Sequence, residues 1–160
     1  MDFEQRLQSA LQRGQQRGEA KAREARAKAL SDDELKTLHA QYRLQFSELI
    51  ENCLRRLPKH CPGFRFETLF GDRGWGAACS RDDMVITSGR RQNAYSRFEM
   101  TVRPFSEFHV VELVAKGTVR NKELLHHSFY EKIEDAVPSH FTDLIDAWTL
   151  EYAELFASKS

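Results

Sequence analysis

The chain has 160 residues, of which 41% are hydrophobic and 30% are charged, a composition typical of one globular domain with an appendage. Its 24 basic and 24 acidic residues cancel, so no bulk positive field favours nucleic acid or an anionic membrane surface. No apolar run approaches the roughly 20 residues that a bilayer crossing needs, and the first 30 residues lack the continuous apolar core that is typical of a secretory signal. We therefore expect a cytoplasmic protein that does not bind membranes and that is poorly suited to nucleic acid.

The first 30 residues predict a helical or flexible arm, because they are rich in Ala, Gln, Arg and Glu. The large apolar residues of this segment end at Leu11, and small residues continue along the same side of the predicted helix. This stripe suits a close helix partner, whereas a solvated, fraying arm is the alternative, since a glycine costs about 1 kcal/mol relative to alanine in a helix interior. The candidate partner contacts are Leu7, Leu11, Gly14 and Gly18.

A single domain is predicted for residues 31–160, because two long amphipathic stripes bound this region. Ser31 followed by Glu34 forms a capping box, which predicts that a second helix begins there. A three-four spacing through Leu144 and Trp148 predicts a C-terminal helix, with both side chains buried against a sheet.

Between these helices the apolar period falls to two, which predicts four to six mostly antiparallel strands. Residues 124–130 fit either a strand or a helix, and a strand is favoured. The predicted fold is therefore α+β, with two N-terminal helices, the antiparallel sheet, and the C-terminal helix packed on one face of that sheet.

The segment FGDRGWGAACSRDD, residues 70–83, combines glycines, a tryptophan and opposed charges. A phosphate-binding loop would require a helix after the glycines, but a strand-like run follows here. Gly71, Asp72 and Gly74 therefore predict a turn between two strands, and Arg73 is a candidate contact for an anion.

A candidate site lies on the second face of the sheet. If residues 104–107 form a four-residue turn, Glu99 lies opposite Glu112, and shared burial would raise the pKa of one carboxyl group enough for a general acid or a cation site. The alternative is that both are solvated or paired with Arg97 and Arg103, which are also candidate ligand or anion contacts. His126 and His127 would face opposite sides of a strand, so at most one of them can belong to this site, and His127 is the candidate.

Cys79 is a separate candidate nucleophile, because nearby Arg81 would lower the pKa of its thiol if the guanidinium pointed toward it. The three cysteines are irregularly spaced and odd in number, which predicts free thiols. Cys53, His60 and Cys61 are close in sequence but lack a clear fourth ligand, so no metal site is predicted. No cofactor is expected either.

The sequence thus favours a non-enzymatic cytoplasmic binding or adaptor protein that acts through protein–protein contacts, with the second sheet face or the N-terminal arm as its surface. Its arm would bind either a protein partner or a second copy in a homodimer. Residues 2–29 carry seven basic and four acidic residues, a net charge of +3, which complements the acidic C-terminal helix of a second copy. The alternative is a small-ligand carrier or pocket enzyme that uses Glu112, Glu99 and a histidine on the second sheet face. A deep cavity at Glu112 would distinguish the two.

Overall fold

The computed structural model describes residues 2–159, apart from the side chains of Ala29 and Leu30. Two compact units are distinguished, Met1–Thr37 and Leu38–Ser160. The elements in chain order are α1 (Phe3–Leu54), α2 (Leu57–His60), β1 (Arg65–Leu69), β2 (Trp75–Thr87), β3 (Arg90–Val102), β4 (Val110–Val119), β5 (Lys122–Lys132), a short 3₁₀ helix (Ile133–Asp135) and α3 (Pro138–Lys159). The predicted α+β fold is confirmed.

The N-terminal helix differs from the prediction, because α1 continues through Ser31 instead of starting there. No Gly or Pro occurs between Gly18 and Pro58, so nothing in the covalent chain interrupts the helix. A capping box serves amide groups that lack an acceptor, and a preceding turn of helix already supplies those acceptors. The predicted pair of helices is therefore one long helix followed by the four-residue α2. Among residues 2–159, no helix combines the length and apolar content that a membrane crossing requires.

The five strands form one antiparallel sheet in the order β1-β2-β3-β4-β5, so each strand pairs with its neighbours in sequence. Two-residue turns join β2 to β3 at Ser88 and Gly89, and β4 to β5 at Arg120 and Asn121. All four residues have positive φ, between 48° and 78°, which is the backbone conformation of type I′ hairpins. The favoured strand at residues 124–130 lies within β5, so this prediction is confirmed.

One face of the sheet forms the core of the unit Leu38–Ser160. Tyr152 of α3 stacks on Phe98 of β3, with ring centroids 4.7 Å apart. Phe46 of α1 stacks on Phe141 of α3 at 4.9 Å. Trp148 is buried as predicted, whereas Leu144 is only partly buried at the edge of the same helix face. The helices thus cover the face that carries Phe98.

The other face of the sheet is more open. Along β4, Val111, Leu113 and Ala115 are buried, while the alternate residues Glu112 and Val114 are only partly buried. This alternation is typical of an antiparallel strand with one face on the core and one toward solvent. We call the side of the sheet that carries Glu112 and Val114 the open face.

Candidate functional site

The register of β3 and β4 sets the chemistry of the open face, and it differs from the predicted one. Glu99 lies opposite Lys116 instead of Glu112, while Val102 lies opposite Leu113. The connection between the strands is longer than a four-residue turn. The ladder between β3 and β4 extends to a hydrogen bond from Arg103 N–H to Glu112 O. Pro104 cannot donate to the ladder, and His109 N–H bonds to Ser106 O, so residues 104–111 form the connection.

The predicted pair of facing carboxylates is therefore not formed. The register is displaced by an even number of residues, so Glu99 and Glu112 remain on the same face but at different points along it. Glu99 pairs with Arg97 at 3.3 Å, and Glu112 pairs with Arg103 at 3.6 Å. The alternative interpretation from the sequence, ion pairing with these two arginines, describes the observed contacts.

Arg97 is the best-anchored charge on the open face. Its guanidinium donates to Glu67 Oε1 at 2.9 Å and to Glu99 Oε2 at 3.3 Å. Partial burial acts to lower the pKa of Arg97, but the hydrogen bond with Glu67 and contributions from Tyr95 and Glu99 outweigh it, so the pKa lies above its ordinary value. Arg97 is therefore a positively charged side chain that two carboxylates, those of Glu67 and Glu99, hold in place.

His127 and Cys79 lie away from the open face. His127 Nε2 is 2.8 Å from Glu151 of α3, and its ring packs on Trp148 at 5.3 Å, which places it on the helix-covered side. His126 takes the open-face position opposite Lys116. The assignment of His127 to a site with Glu99 and Glu112 is therefore wrong, because the alternation of β5 points it the other way.

Cys79 has the environment of a small core side chain. Its thiol is buried and donates to Leu54 O at 3.0 Å. Burial raises the pKa of this thiol to about 12, so the nucleophilic thiolate is scarce at neutral pH. The nearby Arg81 instead contacts Asp83 and Pro62 O, so it does not activate the thiol as the sequence suggested.

The three predicted anion contacts do converge. Arg73, Arg97 and Arg103 line one cleft of about 390 Å³ on the open face, together with Lys116, which the sequence had not singled out. The predicted turn at residues 70–74 brings Arg73 there, and Gly71 and Gly74 adopt φ values of 132° and 128°. The glycine-rich segment is thus a strand connection that carries a cation to the edge of the cleft.

A second cleft of about 600 Å³ adjoins the first and shares Asp72 and Arg103 with it. Exposed aromatic side chains surround both clefts: Phe70 is 78% exposed, Phe108 76% and Tyr130 63%. The sequence did not indicate this group, because the three residues are far apart in the chain and belong to different elements and loops.

A third cleft, of about 520 Å³, lies between α2 and α3 and is lined by Cys53, His60 and Cys61 among others. Cys53 donates to Asp146 Oδ1 at 3.3 Å, and burial together with this carboxylate raises the pKa of the thiol to about 11. In the part of the chain that the structure describes, no group of three His, Cys, Asp or Glu side chains is arranged to hold a metal ion. The three cysteines are free thiols.

The candidate partner contacts in the arm lie along a single helix. Leu7 and Leu11 are exposed, as is Phe3 one turn earlier. A side chain built at Gly14 or Gly18 would meet no atom within 4 Å. None of the described side chains of residues 2–37 is buried, so this segment has no core of its own.

The chain matches no protein-family model, and no curated protein or solved structure has significant similarity to it.

Proposed function

We propose that this protein is a non-enzymatic binding protein that acts through protein–protein contacts and self-associates through its N-terminal arm. The observation that carries the proposal is the exposed apolar row of Phe3, Leu7 and Leu11 on a helix in which no described side chain of residues 2–37 is buried. Isolated helices are marginal in water, and most helical stability in proteins comes from packing an apolar face. A partner for this row would supply that packing.

The same helix face continues with glycine. From Phe3 the steps of four, four, three and four lead to Gly14 and Gly18, so all five positions share one side of α1. Small side chains permit a close approach of two helix backbones. The arm's net charge of +3, from seven basic and four acidic residues in 2–29, complements the acidic α3 of a second copy.

The residues proposed from the sequence for catalysis give no support to an enzyme. Glu99 and Glu112 are each engaged by an arginine, His127 lies on the other face, and Cys79 is a buried thiol. A general acid or base must reach the substrate, and a nucleophile needs an adjacent base. This arrangement therefore favours binding over catalysis.

The test is the mass of the protein in solution, measured by light scattering over a wide range of concentrations. We expect the full chain to exceed the monomer mass of 18.6 kDa, and a truncation lacking residues 1–28 to return to the monomer. Raising the salt concentration should weaken association modestly, because exposed charges are screened. A monomeric full chain at every concentration would exclude self-association through the arm.

A matched pair of variants tests the contact face. Gly14→Leu/Gly18→Leu should weaken association, whereas Gly14→Ala/Gly18→Ala should leave most of it. Alanine does not strain the monomer, because a Cβ at these positions meets nothing within 4 Å, and thermal melts should show that the leucine variant is also folded. Unchanged association in the leucine variant would place the interface elsewhere on the arm.

A further inference from the structure

We propose that the open face of the sheet binds a short acidic segment of a partner protein in an extended conformation. The binding surface is the pair of clefts that share Asp72 and Arg103, which we call the open-face groove. It lies wholly within the unit Leu38–Ser160 and uses no residue of the arm. The inference is therefore independent of self-association.

The charges of the groove favour carboxylates. Four cations line the smaller cleft, and two of them are already held: Arg97 by Glu67 and Glu99, and Arg103 by Glu112. Arg73 and Lys116, both exposed, form no ion pair with any described residue. These two cations can form ion pairs with acidic side chains without displacing an existing partner.

The aromatic side chains favour a segment that also carries apolar residues. Phe70, Phe108 and Tyr130 are mostly exposed, and they surround clefts that contain Val110 and Val114. Exposed aromatics near an apolar floor are typical of interaction surfaces, where aromatic residues provide much of the binding energy. A segment that alternates acidic and apolar side chains would engage both the cations and the rings.

The dimensions of the groove suit an extended chain. The groove is lined from the turn before β2 to Tyr130 of β5 and therefore crosses three strand spacings. At about 4.8 Å per spacing the span is about 14 Å, which four or five extended residues cover at about 3.3 Å each. Because the groove runs across the strands, its lining residues come from several elements.

A nucleic acid fits the groove less well. Asp72, Glu99 and Glu112 are interleaved with the cations and would repel a continuous row of phosphates. Nucleic-acid surfaces have a strong basic excess, whereas the smaller cleft has four cations against two carboxylates. Discrete carboxylates spaced by apolar side chains avoid this repulsion.

The experiment measures fluorescence anisotropy of labelled peptides with the full chain. The probes are the hexapeptide Asp-Phe-Glu-Leu-Asp-Phe, its amide counterpart Asn-Phe-Gln-Leu-Asn-Phe, its lysine counterpart Lys-Phe-Lys-Leu-Lys-Phe, and a thymidine hexanucleotide. We expect saturable binding of the acidic peptide and weaker binding of the other three. In Arg73→Glu/Lys116→Glu the affinity for the acidic peptide should fall by about tenfold or more, because attraction becomes repulsion.

Two controls separate the groove from general charge and from misfolding. Arg90→Glu/Lys122→Glu makes the same change of charge at exposed positions outside both clefts and should bind the acidic peptide like the unmodified chain. Thermal melts should show that both double variants are folded. The proposal is overturned if the acidic peptide does not bind, if the amide, lysine or nucleotide probe binds as tightly, or if the two double variants behave alike.

Discussion

The buried side chain of His39 makes the stability of the folded protein depend on pH. It is buried in the unit Leu38–Ser160, its ring packs edge-on to Phe105, and its Nε2 atom has no hydrogen-bond partner among the described residues. Burial lowers the pKa of His39, the charge of Arg43 lowers it further, and a hydrogen bond with the backbone of Arg103 opposes both. The folded protein therefore resists protonation of this ring more than the unfolded chain does.

The sign of the pH effect follows from this lowered pKa. Above the unfolded value of 6.5 both states are unprotonated, and the contribution of His39 to stability is fully present. As the pH falls below 6.5 the unfolded chain binds the proton first, so the free energy of unfolding should fall by up to about 1.4 kcal/mol per pH unit. His39→Phe should reduce this loss, as measured by urea unfolding at pH 7.5 and pH 5. An unchanged difference, equal to that of the exposed control His60→Phe, would contradict the assignment.

At the scale of residues, the sequence predicted which face of the sheet a side chain occupies better than it predicted which residues pair across strands. Phe98 and Met100 occupy alternate positions of β3, Val111 and Leu113 occupy alternate positions of β4, and all four are buried. The period-two alternation determines the face, and an even displacement of the register leaves it unchanged. The pairing of Glu99 depended instead on the length of a loop, for which the sequence contained no sufficient signal.

At the scale of elements, α3 approaches the sheet most closely where Tyr152 meets Gly117. The ring of Tyr152 lies over Gly117 of β4, and its hydroxyl donates to Thr118 O at 2.7 Å. A Cβ at position 117 would lie 2.8 Å from Tyr152 Cδ2 and 3.1 Å from Leu125 Cβ. Glycine therefore allows the helix to approach the strand.

Gly117→Ala should accordingly destabilise the protein by about 1–3 kcal/mol, because the added methyl displaces Tyr152 from its position on the sheet. Denaturant unfolding measures this cost. Gly18→Ala is the matched control, since its Cβ meets no atom within 4 Å, and it should be neutral or slightly stabilising. A loss below about 0.5 kcal/mol in Gly117→Ala, typical of surface changes, would mean that α3 adjusts without strain.

The elements also show which local signals were decisive. The apolar period of two was sufficient to predict the antiparallel sheet, because each strand pairs with its neighbour in sequence. The capping box at Ser31 was misleading, since a start signal operates only where the helix is already interrupted. The open-face groove could not be predicted as a unit, because Arg73, Lys116 and Tyr130 meet only through the order and register of the strands.

At the scale of the whole molecule, the hydrophobic core depends on the second unit alone. The buried hydrophobic side chains among the described residues begin at Phe46, so deletion of residues 1–28 should leave a cooperatively folding chain. This deletion would also create a new helix terminus just before Ser31. The capping box that α1 leaves unused should then satisfy amide groups that have lost their acceptors.

Ser31→Ala should therefore have opposite effects in the two chains. In the full chain Ser31 lies inside α1, and alanine, the better helix former, should raise the free energy of unfolding by a few tenths of a kcal/mol or leave it unchanged. In the truncated chain the same change should lower it by about 1 kcal/mol, the typical cost of losing an N-cap. Urea unfolding of the four proteins measures both effects. Equal effects in the two backgrounds would show that the new terminus frays beyond Ser31, and loss of a cooperative transition on truncation would show that the arm is needed for folding.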